Sequence, residues 1–174
     1  MLDFAIGQFD SYTPLQLAQY VATMANDGKR MQAHLLKEVY SSDGDSLTNL
    51  IYKYEPTIMN VVNTKQEYID RVKMGFKAVV EPSGTGAGYM PLNINPAGKT
   101  GTSQNLIDTD LDGENETLTL TNTFVGFAPY DNPTMAFAVL SPDVTHYKNN
   151  SRYRTSVNRK ISYEVSKKFF EIYQ

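Results

Sequence analysis

"INPAGKTGTSQN", residues 94–105, sets a lysine, glycine and three hydroxyl residues between two apolar segments, and a turn, a phosphate cradle and one wall of an active site compete to explain it. The phosphate loop fails on spacing. It needs G-x-x-x-x-G-K-[ST] between a strand and a helix, whereas the residue five before Gly98 is Asn93 and β-forming residues follow. A K-T-G triplet alone is most simply an edge strand with a solvated lysine, so the surroundings decide. A glycine-rich break, "SGTGAGYMP" at 83–91, precedes the triplet. "TNTFVGFAPYDNPTMAFAVLSPD" at 121–143 follows it, two apolar runs around a Pro-Tyr-Asp-Asn-Pro turn that read as adjacent antiparallel strands. From Thr155 to Tyr173, Val157, Ile161, Val165 and Phe169 recur at spacing four with Ile172 beside them, predicting an amphipathic helix that lies on the sheet. This order predicts an α+β fold, an antiparallel sheet packed with helices, with residues 94–105 at its edge beside a cleft.

Upstream, Thr13-Pro14-Leu15-Gln16 combines an N-cap hydroxyl, proline at the first helical position and glutamine at the third. A helix is predicted over about 14–26, with Leu17, Ala18, Val21, Ala22 and Ala25 on one face and Asn26-Asp27-Gly28 as its stop. "AHLLKEVY" and "LTNLIYKYE" flank "SSDGDS" and predict a hairpin over 33–55. A second capping box, Thr64-Lys65-Gln66-Glu67, predicts a helix with Ile69, Val72, Phe76 and Val79 on a shared face, ending before Pro82.

The bulk properties exclude whole classes. A chain of 174 residues fits one domain, able to bury roughly 70% of the surface its unfolded form exposes. Sixteen basic against nineteen acidic residues, a net charge of −3, give no electrostatic footprint for nucleic acid or an anionic membrane surface. The chain has no cysteine, which removes disulfides, thiol nucleophiles and cysteine zinc sites. It holds no apolar run of the length that spans a bilayer and no basic-then-apolar leader. The opening "MLDFAIGQFD" reads like the middle of a domain.

Several segments together resemble the transpeptidase domain of penicillin-binding proteins. "AIGQ" and "TPLQLAQYVATMANDGKRM" look like the family's G-Q followed by its T-P-L-Q-L-A helix. "GFKAVVEPSGTGAG" is similar to its helix and glycine loop, "AGKTGTSQ" to its third signature, K-T-G on a strand lining the serine cleft, and "FVGFAP" with "NPTMAFAVL" to the hairpin that follows. These segments occur in family order over most of residues 5–140 and are closest in tone to the class B, monofunctional enzymes. The resemblance implies a serine that attacks the penultimate D-Ala carbonyl of a peptidoglycan stem peptide, forms an acyl-enzyme and passes it to a neighbouring amine, with β-lactams imitating the peptide. It implies that Lys99 supplies positive charge to the serine and to the substrate carboxylate, that Thr100 and Thr102 hydroxyls bind that carboxylate, and that Gly101 lets substrate main chain approach. The Thr102 N–H is implied as one of two oxyanion donors, and loss of one such donor costs about 10²–10³ in rate. No cofactor is implied. The parent is implied to be anchored in a bacterial cytoplasmic membrane with this part outside. A β-lactam-sensing receptor shares fold and motif, and upstream sequence separates it from the enzyme: one short anchor for the enzyme, several spans and a cytoplasmic effector for the sensor.

One departure sets an expectation. No serine here has lysine three positions later, so the family's S-x-x-K is absent. S-x-N is spelled at Ser103-Gln104-Asn105 and Ser156-Val157-Asn158, on or after the K-T-G strand although the family's precedes it, so both read as coincidences. Residues 1–174 are therefore expected to be the C-terminal portion of the domain, inactive alone and prone to self-association through surface that the remainder covers. Outside the resemblance, "DTDLDG" at 108–113 copies the start of a calcium loop with Asp108, Asp110 and Asp112, but position twelve is Thr119 where a glutamate belongs. A solvated acidic loop is the simpler reading, and no metal site is assigned; a calcium-dependent extracellular binding module is the alternative that a calcium titration tests. His34 and His146 have no partner at metal-ligand spacing, the 12 tyrosines read as sheet packing, and "YKNNSRYRTSVNRK" as a solvated basic loop whose functional alternative is contact with anionic cell-wall polymer.

Overall fold

A computed structural model describes residues 5–43, 46–108, 111–114, 117–148 and 151–173. Gly44 and Asp45 of the predicted hairpin turn, Asp110 of the acidic loop, and Asn149 and Asn150 of the basic segment lie outside the described residues. The centre is an antiparallel sheet of β5 (Ala97–Ile107), β6 (Thr117–Ala128), β7 (Met135–Lys148) and β8 (Ser151–Arg154), in that order, with β5 on an edge. The K-T-G edge strand and the β6–β7 hairpin are as predicted, whereas β8 falls within the segment read as a solvated basic loop, where it pairs with the end of β7. Side chains alternate between the sheet faces, so Phe124 and Ala128 of β6 join Met135 and Phe137 of β7 on one face, while Val125 and Phe127 look to the other with Ala97. Phe124 and Phe127 are fully buried, each contributing about 1.5–3 kcal/mol of apolar transfer free energy.

Helix α1 (Pro14–Ala25) covers the second face with Val21 and Ala25. Its predicted capping box is formed: Thr13 Oγ1 accepts from Gln16 N at 3.2 Å and Gln16 Oε1 from Thr13 N at 2.8 Å. Helix α2 (Gln66–Val80) begins at Lys65 as N-cap with no side-chain cap bond, so the second predicted capping box does not form. The helix starts one residue too late for the Thr64 hydroxyl to sit at its N-cap. Its stripe also differs, since Ile69, Phe76 and Val80 are buried while Val72 is 40% exposed. Phe76 packs with Val21 of α1 and Val80 in the opposite cluster, so α2 lies across the start of β5. Lys73, 12% exposed, pairs with Asp27 at 2.8 Å and ties α2 to the end of α1.

Helix α3 (Val157–Tyr173) lies on the first face, but the predicted stripe is off by one position. Asn158, Ser162, Ser166 and Phe170 are buried, while Ile161 and Val165 are 42% and 44% exposed. The small serines let the helix lie close to the sheet, and each hydroxyl is satisfied by the preceding turn, Ser162 Oγ on Asn158 O and Ser166 Oγ on Ser162 O, both 2.8 Å. Asn158 Nδ2 donates to Asn122 O, Val139 O and Ser141 Oγ, which uses this residue to weld helix to sheet and removes Ser156-Val157-Asn158 as a signature. The predicted hairpin is β2 (Glu38–Asp43) with β3 (Ser46–Lys53), starting five residues later than expected; His34 instead stacks on Tyr54 at 3.6 Å. β1 (Lys29–Met31) pairs with β4 (Ile58–Val61) in a separate ribbon. Among the described residues no helix is long and apolar enough to cross a membrane.

Candidate active site

Strand β5 is set in place before it reaches the exposed lysine. Pro96, Ala97 and Gly98 are buried, and a Cβ on Gly98 would stand 2.5 Å from Phe124 Cζ and 2.7 Å from the Val125 carbonyl oxygen. Only glycine fits there. One residue earlier than Pro96, Asn95 adopts a left-handed conformation (φ 51°) and gathers three elements. Its side chain accepts from Lys77 of α2 and donates to Asp131 at 2.8 Å, and its carbonyl accepts from Tyr130 N at 2.7 Å. Lys77 and Lys73 also stand over the Tyr130 ring, at 5.1 and 5.9 Å. The β6–β7 turn and α2 thereby fix where β5 begins.

The strand then emerges at an exposed edge. Lys99 stands in register with Val125 on the α1 face, exposed, and its Nζ donates to Thr100 O at 2.7 Å. Thr100 and Thr102 project to the α3 face by alternation. Thr100 Oγ1 lies 3.4 Å from Thr85 Oγ1 of the glycine-rich loop, and Thr102 Oγ1 is 3.5 Å from Asn122 Oδ1. The strand thus separates the lysine from the two threonines but leaves all three at one edge. Gly101 differs from Gly98: a Cβ there would meet Thr123 Cβ at an ordinary 3.6 Å. Nothing in the strand's own packing requires a glycine at 101.

The direction of the main chain follows from two contacts. Gln104 N and O are both engaged by the Gln8 side chain, at 3.2 and 2.9 Å, and Gln8 lies on the side of β5 away from β6. Main-chain groups alternate between the two edges of a strand, so Thr102 and Thr100 present theirs outward with Gln104. The Lys99 bond to Thr100 O agrees with this. A cleft of about 440 Å³ opens beside this stretch, with Gly7, Gln8, Tyr12, Gly101, Ser103 and Thr123 among its walls. Within it the Tyr12 hydroxyl donates to Asp10 Oδ2 at 3.1 Å, and that hydrogen bond to the carboxylate holds the phenol above its ordinary pKa.

The structure places Lys99, Thr100, Gly101 and Thr102 in succession on the exposed edge strand β5, with Gly101 and Thr102 lining the cleft and Lys99 and Thr100 outside its lining. Gln8, Thr85, Asn95 and Asn122 are additional members of the neighbourhood. Gln8 and Thr85 stood inside segments that carried the family resemblance, without a role assigned to them. Asn95 and Asn122 gave no signal, because their contacts cross between elements. Asn105 of the first S-x-N spelling donates to Thr121 Oγ1 at 2.6 Å within the sheet. In the acidic loop, Asp108 carboxylate oxygens accept from Leu111 N at 2.6 Å and Gly113 N at 2.8 Å, and Asp112 accepts from Glu114 N at 2.8 Å. These are the contacts of aspartates that close a turn on themselves. Among the described residues no group of three or more metal-ligating side chains gathers.

A K-T-G strand on the edge of a four-stranded antiparallel sheet packed with helices is the arrangement that the resemblance implies, and known proteins of similar sequence and structure agree with it. The sequence model of the penicillin-binding protein transpeptidase domain matches residues 1–164. The chain is 42% identical to penicillin-binding protein 2A of Bacillus subtilis (strain 168), covering 99% of this chain and 24% of that protein. It is 39% identical to penicillin-binding protein 2B of Streptococcus pneumoniae (strain R6), covering 83% of this chain and 21% of that one. The solved structure of penicillin-binding protein 2B from that strain superposes over 99% of this chain and 27% of its own, with TM-score 0.77 and 31% identity. The chain belongs to the penicillin-binding protein transpeptidase domain family. It spans about a quarter of the length of these relatives.

Proposed function

We propose that residues 1–174 are the C-terminal portion of a D,D-transpeptidase catalytic domain, and that they supply the K-T-G wall of its cleft. The observation that carries this reading is the edge of β5. There the Thr102 main-chain N–H points outward, Lys99 lies three residues before it on the same strand, and Gly101 is a glycine that the strand's own packing does not ask for. In the reaction a serine on the preceding half of the polypeptide attacks the penultimate D-Ala carbonyl. The serine oxygen–carbon bond forms, the bond to the terminal D-Ala nitrogen breaks, and that amine leaves with a proton. A second stem's amine then displaces the serine. The Thr102 N–H would hold the oxyanion, while Lys99 with the Thr100 and Thr102 hydroxyls would hold the carboxylate of the leaving residue. A β-lactam opens on the same serine and stays. The parent would be anchored in a bacterial cell membrane with this part on the extracytoplasmic face, where the stem peptides are.

Fluorescent penicillin tests the reading directly. The longer polypeptide is expected to be labelled one to one, this chain alone to remain unlabelled, and Lys99→Ala in the longer polypeptide to slow acylation by about a hundredfold or more. Covalent labelling of the isolated chain, or unchanged acylation in Lys99→Ala, would sink the proposal.

A further inference from the structure

Gln8 does something that neither the K-T-G strand nor the packing of α1 requires. Its carboxamide meets both main-chain groups of Gln104, ninety-six residues away in sequence, donating to the carbonyl at 2.9 Å and accepting from the N–H at 3.2 Å. A carboxamide offers the same donor and acceptor pair as a peptide group, so this contact reproduces one rung of a β-ladder at the free edge. Gly7 puts it there. Gly7 has φ +76° and nothing within 4 Å of where a Cβ would be, so it turns the chain toward β5 without being packed in place itself. The edge is therefore open at Thr102 and closed two residues on.

We propose that Gln8 is the end stop of the substrate groove, a specificity-determining residue that limits how much of a peptide's main chain can pair with β5. The inference rests on the transpeptidase reading above. If the scissile carbonyl lies at the Thr102 N–H and the leaving carboxylate at Lys99 and Thr100, the peptide runs antiparallel to β5 and its N-terminal part points at Gln104. The rung after Thr102 is already occupied. Residues of the donor stem preceding the one that pairs with Thr102 must turn away from the strand, so the edge recognises the last residues of the chain and gives nothing to a longer extended backbone.

Two measurements on the longer polypeptide, wild type against Gln8→Ala and Gln8→Glu, test this. Amide hydrogen exchange reads the contact itself. Gln104 N–H is expected to exchange at least about tenfold faster in Gln8→Ala, and faster than wild type in Gln8→Glu as well, because the second carboxylate oxygen would face the Gln104 carbonyl with no proton to donate. Donor selectivity reads the groove. The ratio of kcat/KM for a donor with an extended N-terminal backbone over a minimal acyl-D-Ala-D-Ala donor is expected to rise about fivefold in Gln8→Ala, the worth of one net hydrogen bond, and to rise in Gln8→Glu too, where the bond to the Gln104 carbonyl is lost. Unchanged exchange at Gln104 overturns the contact, and faster exchange with an unchanged ratio overturns the end stop. If wild-type polypeptide is not acylated by fluorescent penicillin, the transpeptidase reading fails and the groove role with it, whereas the exchange result still judges the contact.

Discussion

At the scale of the residue, two glycines three positions apart on one strand have opposite reasons. Gly98 is held by Phe124 and Val125, so Gly98→Ala forces the aromatic ring or the β6 main chain to move and is expected to cost about 1–3 kcal/mol in chemical denaturation. Gly101 has an ordinary 3.6 Å of room, so Gly101→Ala is expected to leave stability within about 1 kcal/mol of wild type. In the longer polypeptide the same Gly101→Ala should slow penicillin acylation severely, because the added methyl stands where a ligand approaches. Loss of stability without loss of acylation would reverse the assignment. Asn95 is a third case. Its left-handed backbone and its bonds to Lys77, Asp131 and Tyr130 converge on the entry to β5, and Asn95→Ala is expected to lower stability by about 1–3 kcal/mol.

At the scale of the element, polar residues buried by shape separate what could be read from sequence from what could not. The helices, the β6–β7 hairpin and the K-T-G strand were legible because period and turn chemistry are local. The face of α3 was not, because Val157, Ile161 and Val165 look like a core stripe, whereas the sheet accepts the neighbouring Asn158, whose carboxamide bonds to the sheet, and Ser162 and Ser166, whose small side chains bond back to their own helix. Ser162→Leu is accordingly expected to destabilise by about 1–3 kcal/mol through overpacking, and Ile161→Ser to change the isolated chain by less than about 0.5 kcal/mol. Thermal denaturation of the two variants decides between the stripes. Capping shows the same limit. Thr13 precedes Pro14, whose fixed φ starts the helix in register, and Thr13→Ala should cost about 1 kcal/mol. The identical pattern at Thr64 has no such start, and α2 begins a residue later. The candidate site was legible as one strand, Lys99 to Thr102, but its partners Gln8, Asn95 and Asn122 meet β5 only through tertiary contacts.

At the scale of the whole molecule, the apolar stripe that α3 does not bury becomes a surface. Ile161, Val165, Ile172 and Tyr173 are exposed at 42% to 72%. On β7, strand β8 pairs only with Thr145–Lys148, so from Met135 to Val144 the outer edge has no strand partner among the described residues. An apolar helix face and an open strand edge on one small sheet are both invitations to association. The isolated chain is expected to self-associate, its apparent mass rising through a dilution series in sedimentation velocity. Ile161→Glu with Val165→Glu should weaken that association if the helix face drives it, and leave it unchanged if the β7 edge does. Supplying the preceding part of the domain as a separate polypeptide should convert the oligomers into a one-to-one complex that binds fluorescent penicillin, since the same surface would be covered and the serine restored. A chain that stays monomeric at every concentration would show that these surfaces are tolerated in water and would overturn the expectation of self-association.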